Sequence, residues 1–365
     1  MRITAIRIFR YDIPLRAVFE IATMKISDAR NVLIKIETDA GIVGWGEGAP
    51  FHALVGETQD ICFAAGKAFR DKLTGKNPLE IDELTGFMDA FLPHNTTLKS
   101  AIDMALFDIA AQVAGMPLYA FLGGSRGPIE TDMTIGLCDP AVAADRALKI
   151  KEMGFNKIKV KLGLDDAEDF RRMKLIREAV GDAVCIRIDA NQGWDRIAAL
   201  RNLEALAAFN IEFCEQPCRV EDLDATRYVS ATSKIPVMAD ESLFSPYEAL
   251  ALIRNNVVPY FNIKLSKSGG IHNALKIAHV AEAGAIPCMI GCMSETRLGI
   301  TAAAHFGLSS SIIRFYDLDS HLEHAIDPVE GGISMQGGLI ELPDAPGIGA
   351  CPDPAFVDKL EEIHE

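Results

Sequence analysis

The chain has 365 residues, 49% of them hydrophobic and 24% charged, which is the composition of a globular protein with room for one large domain or two ordinary ones. A formal net charge of -15 argues against a nucleic-acid or anionic-membrane partner, because either needs a basic surface. No apolar run reaches the roughly 20 residues of a membrane span, so a cytoplasmic protein with a small-molecule partner is expected.

The opening segment, MRITAIRIFRYDIPL, alternates polar and apolar residues as a strand does and lacks the form of a signal peptide. With ARNVLIKIETDAGIVGWGEGAP it supplies two or three strands, followed by helical stretches, the clearest being LKSAIDMALFDIAAQVAG, which ends at Gly115. Residues 1–125 are read as an α+β domain. From residue 131 the text changes. Eight β-rich runs (TDMTIGL, KIKVKLG, VCIRIDAN, IEFCEQP, PVMADES, YFNIKLSK, PCMIGCM and IIRFYDLDS) alternate with amphipathic stretches. Asp139-Pro140 and Ser245 to Glu248 look like helix N-termini, a cap with proline at N1 and a capping box. Eight such βα units predict an α/β domain over 126–320 in the form of a (β/α)8 TIM-type barrel. The turn-rich segment 321–365 is expected to return to the first domain as a few strands. The eight cysteines lie mostly inside apolar runs without a CxxC pair and read as reduced core thiols.

Charge falls on a regular beat in the barrel runs. Lys161, Asp189, Glu215, Asp240 and Lys264 stand near the C-terminal ends of successive runs, at gaps of 28, 26, 25 and 24 residues, one βα unit per step. Any one of them alone would read as a helix cap or a solvent-seeking lysine. Together they converge on one cavity, because the C-terminal strand ends of such a barrel meet there. Three neighbouring carboxylates need a cation, and an all-oxygen set suits Mg²⁺ or Mn²⁺ better than zinc. Asn191 is placed to support Asp189 from behind, and Glu241 should point to the other side of its strand. In KIKVKLG, alternation puts Lys157, Lys159 and Lys161 on one side, about 6.6 Å per step of two residues. Lys159 and Lys161 then approach the metal cavity, and a neighbouring cation should lower their basicity towards the working pH. Lys264, four strands round, should face them. One lysine would take the proton α to a carboxylate, the metal would stabilise the enediolate, and the other lysine would protonate the far face.

The motifs KVKLG, RIDANQGW, EQP, ADES and NIKLSKSGG, with GWGE and PLYAFLGG in the N-terminal part, resemble the enolase superfamily in its muconate-lactonizing subgroup, in order and spacing along the whole chain. Sites of that superfamily use a lysine or histidine base with Mg²⁺. The resemblance implies a modified barrel under a capping domain made from both ends of the chain. It also implies Lys159 and Lys161 as the KxK pair with Lys161 as base, Lys264 as the opposite acid/base, and Asp189, Glu215 and Asp240 as Mg²⁺ ligands.

Within the subgroup, Asp317 and Asp319 in RFYDLDSHL are most similar to the DxD of dipeptide epimerases, which holds the substrate's α-ammonium group; two carboxylates on one side of a strand suit a cation. Side-chain preference is expected from loops near residues 16–27 and 48–57. By ungapped alignment Met24 stands where the Ala-Glu epimerases are expected to carry an arginine, which speaks against Ala-Glu. Met24, Phe19, Ile21 and Phe51 suggest an apolar pocket and hydrophobic dipeptides, unless Glu20, Lys25 or His52 reaches it. Glu295 in CMSETRLG is a further supporting candidate. A homo-oligomer is expected, since such barrels commonly assemble. Cycloisomerase, o-succinylbenzoate synthase and N-acylamino acid racemase share the machinery and stay open as alternatives, with a non-catalytic metal-dependent carboxylate binder as a remote one.

Overall fold

Alternation in β1 (Ile3–Ile21) sends its residues to two different cores. Ile6 and Ile8 pack into the N-terminal part, whereas Phe9, Tyr11 and Ile13 join the core that runs through the barrel. β1 pairs antiparallel with β2 (Met24–Thr38), and β2 with β3 (Val43–Gly48), in the computed structural model, which describes residues 1–363. The glycines of VGWGEG have a steric reason: a Cβ on Gly46 would run into the carbonyl of Ala101, and one on Gly44 into that of Ala105. The almost wholly buried helix Thr96–Ala114 can therefore lie directly on β3, and it stops at Gly115, which takes the left-handed conformation at φ 66°.

All eight predicted runs are strands, from Met133–Ile135 to Ile313–Tyr316, and they form one parallel sheet in chain order. The Asp132 N–H reaches the Tyr316 carbonyl at 3.4 Å, joining the last strand to the approach of the first. The helix signals are in place: Asp139 caps the N–H of Ala141 ahead of Pro140, and Ser245 and Glu248 form a reciprocal capping box. Inside the barrel the lower layer is apolar. Phe213, Met238 and Met289 are buried with Tyr260 and Phe315 against them, and the three rings meet edge to face at 5.3–6.1 Å. The Arg187 guanidinium lies over Phe213 and Phe315 and bonds to Asp132 at 2.7 Å and Glu212 at 2.7 Å. This packed floor forces the polar chemistry to the upper rim.

The C-terminal residues supply short hairpin strands, Val329–Gly331 with Ala350–Pro352 and Ser334–Gln336 with Leu339–Glu341. The chain then returns to β1, where Ile363 N–H donates to Ile8 O at 2.9 Å and Arg10 N–H to Glu361 O at 2.9 Å. No helix among the described residues is long and apolar enough to cross a membrane.

Cap and barrel meet at a buried acid. Asp103, fully buried in helix Thr96–Ala114, accepts the His272 N–H at 3.1 Å, at the start of helix Ile271–Ala283. Gly270 is required there, since a Cβ would strike the Asp103 carboxylate. Burial raises the Asp103 carboxyl to about 8, above its ordinary 3.8. A carboxyl raised on folding favours the folded state most below its unfolded pKa, and that contribution is lost as pH climbs through the folded value. Tm is therefore expected to fall as pH rises from 5 to 9, with a flatter profile in Asp103→Asn; parallel profiles would show that Asp103 ionises without cost.

Candidate active site

The strand ends deliver the charged residues to one place. Asp189, Glu215 and Asp240 are fully buried, and one oxygen from each lies within 4.8 Å of the others. The chain leaves two of these strands through residues with positive φ, Asn191 (41°), Gln192 (67°) and Gln216 (31°), which turn it sharply beside the carboxylates. Gln216 braces the next strand end by accepting the Asp240 N–H at 3.0 Å. Asn191 donates its backbone N–H to Asp189 at 2.9 Å and its side-chain amide to Glu241 at 3.1 Å. Glu241 lines the neighbouring cavity with Gln192 and Ser242, yet it stays close enough to the cluster for burial and the Asp240 and Asp189 charges to raise its carboxyl to about 8.

Burial, then Asp189, raises the Glu215 carboxyl to about 7, which is the electrostatic signature of crowded anions. Burial would raise Asp240 also, but Lys264 and Lys267 outweigh it and hold Asp240 well below the carboxylate range. Three buried carboxylates in mutual contact, with no sulfur or imidazole among them, fit a hard divalent cation.

Lys161 Nζ stands 2.6 Å from Asp189, and Lys264 Nζ stands 2.7 Å from Asp240. Lys159 Nζ touches Glu215 at 2.6 Å, Asp317 at 2.8 Å and Asp189 at 3.2 Å. Lys157, below them, pairs instead with Glu130 at 2.8 Å near the bottom rim. The expected fall in lysine basicity is not what the protein's own charges produce. Burial lowers Lys159, but Asp317, Glu215, Asp189 and Asp132 overcome it and hold the ammonium above its ordinary value. Lys264 is likewise raised, by Asp240 and Glu215 against burial. Carboxylates surround each ammonium, and only an added positive charge among them reverses the sign.

Asp317 and Asp319 are both 3% exposed and face the same cavity. Burial works against ionisation of Asp317, but Lys159 and Lys264 hold it down at about 2. Asp319 is pushed up to about 7 by burial and the Asp317 charge, and it accepts the Thr134 N–H at 2.6 Å. A second cation entering beside the pair would relieve that repulsion.

The cavity is lined on the barrel side by Lys159, Lys161, Lys264, Asn191 and the two aspartates, and on the cap side by Leu15, Phe19, Ile21, Ile26, Phe51 and Leu54. Phe19 and Phe51 are thus where the sequence put them. Met24 is not: it lines the adjacent cavity with Lys25 and His52, beyond a wall formed by Ile26 and Phe51, which border both spaces. The cause is its place at the tip of the β1–β2 hairpin, opposite Ile21 and two residues beyond Ile26. Glu20 and Lys25 pair with each other at 2.7 Å across that hairpin. Among the described residues neither they nor His52 lines the central cavity. Met24→Ala is expected to leave side-chain preference unchanged and Ile26→Ala to broaden it, as competition between dipeptides in one mixture would reveal.

Other residues escaped sequence reading. Lys267 Nζ bonds to Asp240 at 2.5 Å, Asn262 donates to Glu215 at 2.6 Å, and Arg187 is the register partner of Lys159 on the neighbouring strand. Signals existed: Asn262 is two residues before Lys264 and Arg187 two before Asp189, the inward phase of each strand. Glu295 does not line the cavity; it accepts the Met293 N–H at 2.6 Å and so fixes the loop that does.

A parallel barrel with lysines and carboxylates on consecutive strand ends, under an antiparallel cap that closes the same cavity, defines an enzyme of the capped α/β-barrel class. Residues 3–123 match the Mandelate racemase / muconate lactonizing enzyme, N-terminal domain family, and residues 142–356 the Enolase C-terminal domain-like family. The chain belongs to this family, the mandelate racemase/muconate lactonizing branch of the enolase superfamily. It is 41% identical to the D-Ala-D/L-Ala epimerase of Cytophaga hutchinsonii, covering 100% of this chain and 99% of that one. Identity to the hydrophobic dipeptide epimerase of Enterococcus faecalis is 40%, over 96% and 99% of the two chains. A dipeptide epimerase structure from Cytophaga hutchinsonii, complexed with Mg and D-Ala-L-Val, superimposes with a TM-score of 0.98 at 41% identity, over 100% of this chain and 99% of that one. One from Enterococcus faecalis, complexed with Mg and L-Leu-L-Tyr, gives 0.94 at 39% identity, over 96% and 99%.

Proposed function

We propose that this chain is an Mg²⁺-dependent dipeptide epimerase that inverts the α-carbon of the C-terminal residue of apolar dipeptides. The observation that carries the reading is one cavity lined by Lys161, Lys264 and the Asp317/Asp319 pair beneath an apolar cap, with the buried carboxylate cluster bonded directly to those two lysines. The relatives with apolar dipeptides in their names and complexes support it. The functional division proposed is a cap from residues 1–125 and 321–365 over a barrel from 126–320.

Asp189, Glu215 and Asp240 would hold Mg²⁺, or Mn²⁺ with the same donors. When bound, the ion supplies the positive charge that makes a proton next to a carboxylate removable. Lys161 takes the α-proton as general base, and Lys264 gives a proton to the opposite face; the roles exchange for the other stereoisomer. Lys159, held by Glu215, Asp317 and Asp189, keeps a positive charge where negative charge grows on the substrate. Asp317 and Asp319 take the α-ammonium group and so fix which α-carbon lies between the lysines. Phe19, Ile21, Ile26 and Phe51 receive the side chain and keep water away. A cytoplasmic homo-oligomer completes the reading, to be checked by sedimentation of the purified protein.

The test is a mass-spectrometric screen of L,L-dipeptide libraries with the Mg²⁺-loaded protein in D₂O. Gain of a single deuterium at the α-carbon of the C-terminal residue in a subset of apolar dipeptides is the expected result. Protein treated with a chelator should give none. Absence of label in every dipeptide, with the metal shown to be bound, would sink the reading.

A further inference from the structure

Glu47, in β3, is 1% exposed and lies outside the cavity, yet its side chain accepts three of its four hydrogen bonds from residues that follow the strand Cys288–Ile290. One carboxylate oxygen accepts the Asn31 side-chain amide at 2.7 Å and the Thr296 N–H at 2.9 Å. The other accepts the Thr296 hydroxyl at 2.7 Å and the Gly299 N–H at 3.0 Å. Those last two donors belong to the N-terminal turn of helix Arg297–Gly307, so a cap residue serves as the anion at the start of a barrel helix. Asn31 doubles the tie by donating to the Ser294 carbonyl at 2.8 Å.

The segment held in this way, residues 291–296, supplies Cys292, Met293 and Ser294 to the cavity wall. It also passes hard against Lys264. A Cβ on Gly291 would stand 2.7 Å from Asn262 Oδ1 and 3.0 Å from Lys264 Cε, so the backbone at Gly291 forms the surface on which the lysine stem rests. Lys161 has no such dependence; it comes from Lys157–Lys161, on the far side of the barrel sheet.

We propose that Glu47 is a positioning residue for Lys264: from the cap it sets the 291–296 segment and thereby one of the two proton-transfer groups, leaving the other untouched. This rests on the reading of Lys161 and Lys264 as the acid/base groups of the two faces. It means that cap placement and proton delivery to one face are a single mechanical unit.

The test uses the full-length Mg²⁺-loaded protein in D₂O with D-Ala-L-Val and L-Leu-L-Tyr and their epimers at low conversion. The readout is the ratio of label in product to label returned to recovered substrate, measured from each stereoisomer for wild type and Glu47→Asp. A retracted carboxylate that displaces the Lys264 support should shift this ratio by about threefold or more, since ångström-scale misplacement of a reacting group is costly. The shift should run in opposite senses from the two isomers, because only the face served by Lys264 weakens. A merely structural role would lower total exchange in proportion to folded protein and leave both ratios at the wild-type value, overturning the proposal. Should Glu47→Asp fail to fold, Thr296→Val, which removes a single donor to Glu47, carries the same comparison with a smaller shift of the same pattern. No label from the wild type with any of these dipeptides would overturn the epimerase reading itself.

Discussion

Lys161→Ala and Lys264→Ala are each expected to lower kcat/KM for epimerisation by about 10³-fold or more, within the range that a positioned acid or base contributes. The two variants should fail differently. Each is expected to retain solvent exchange of the α-hydrogen from the stereoisomer that faces its surviving lysine, and to lose exchange from the other. Combining the two substitutions should cost far less than the product of the single losses, since both serve one proton relay. Lys264→Arg separates proton transfer from charge alone, because a guanidinium keeps the positive charge beside Asp240 but does not release a proton near neutral pH. We expect it to be as inactive as Lys264→Ala. Full turnover by Lys264→Arg would reduce Lys264 to an electrostatic role and remove the two-base mechanism.

Asp317→Asn is expected to lower kcat/KM for dipeptides by about 10²-fold or more, through loss of the charge that holds the ammonium group. One complication is visible in the geometry: Asp317 also pairs with Lys159 at 2.8 Å, so its removal disturbs the Lys159 network. Among the described residues no lysine pairs with Asp319, which accepts the Thr134 N–H at 2.6 Å and the Cys292 thiol at 3.7 Å. Asp319→Asn therefore isolates the ammonium contribution. Loss of dipeptide turnover in both variants, with N-acylamino acids unaffected or improved as substrates, is the expected pattern. Damage confined to Asp317→Asn would assign the DxD to lysine support and favour a substrate without an ammonium group, such as that of an N-acylamino acid racemase or a cycloisomerase.

Much of this site was legible because strands are periodic. Lys161, Asp189, Glu215, Asp240 and Lys264 recur once per βα unit, and a parallel sheet in chain order converts that recurrence into adjacency. What stayed hidden depended on contacts between distant segments or on the exact path of a hairpin. Arg187 could be placed on the inner side of its strand, but its partner Asp132, 55 positions away, could not. Glu47 and Thr296 are 249 positions apart, and no local pattern links them. Met24 failed for another reason. A two-residue displacement along a hairpin keeps the phase but changes which cavity a side chain borders, so Ile26 lines the central cavity and Met24 the one beside it.

The return of residues 361–363 to β1 bears on the order in which the molecule is assembled. Arg7 and Glu362 form an ion pair across 355 positions, and the neighbouring main-chain bonds of Ile8 and Arg10 close the same loop. Closing so long a loop costs more chain entropy than any strand pairing inside the barrel, where partners are one βα unit apart. During synthesis β1 emerges before the barrel yet waits for residues 361–363 before its outer edge is paired, while the barrel units can condense as they emerge. The half of the substrate cavity that carries Phe19 and Phe51 is then the last to set, and until it does the polar strand ends stand open to water.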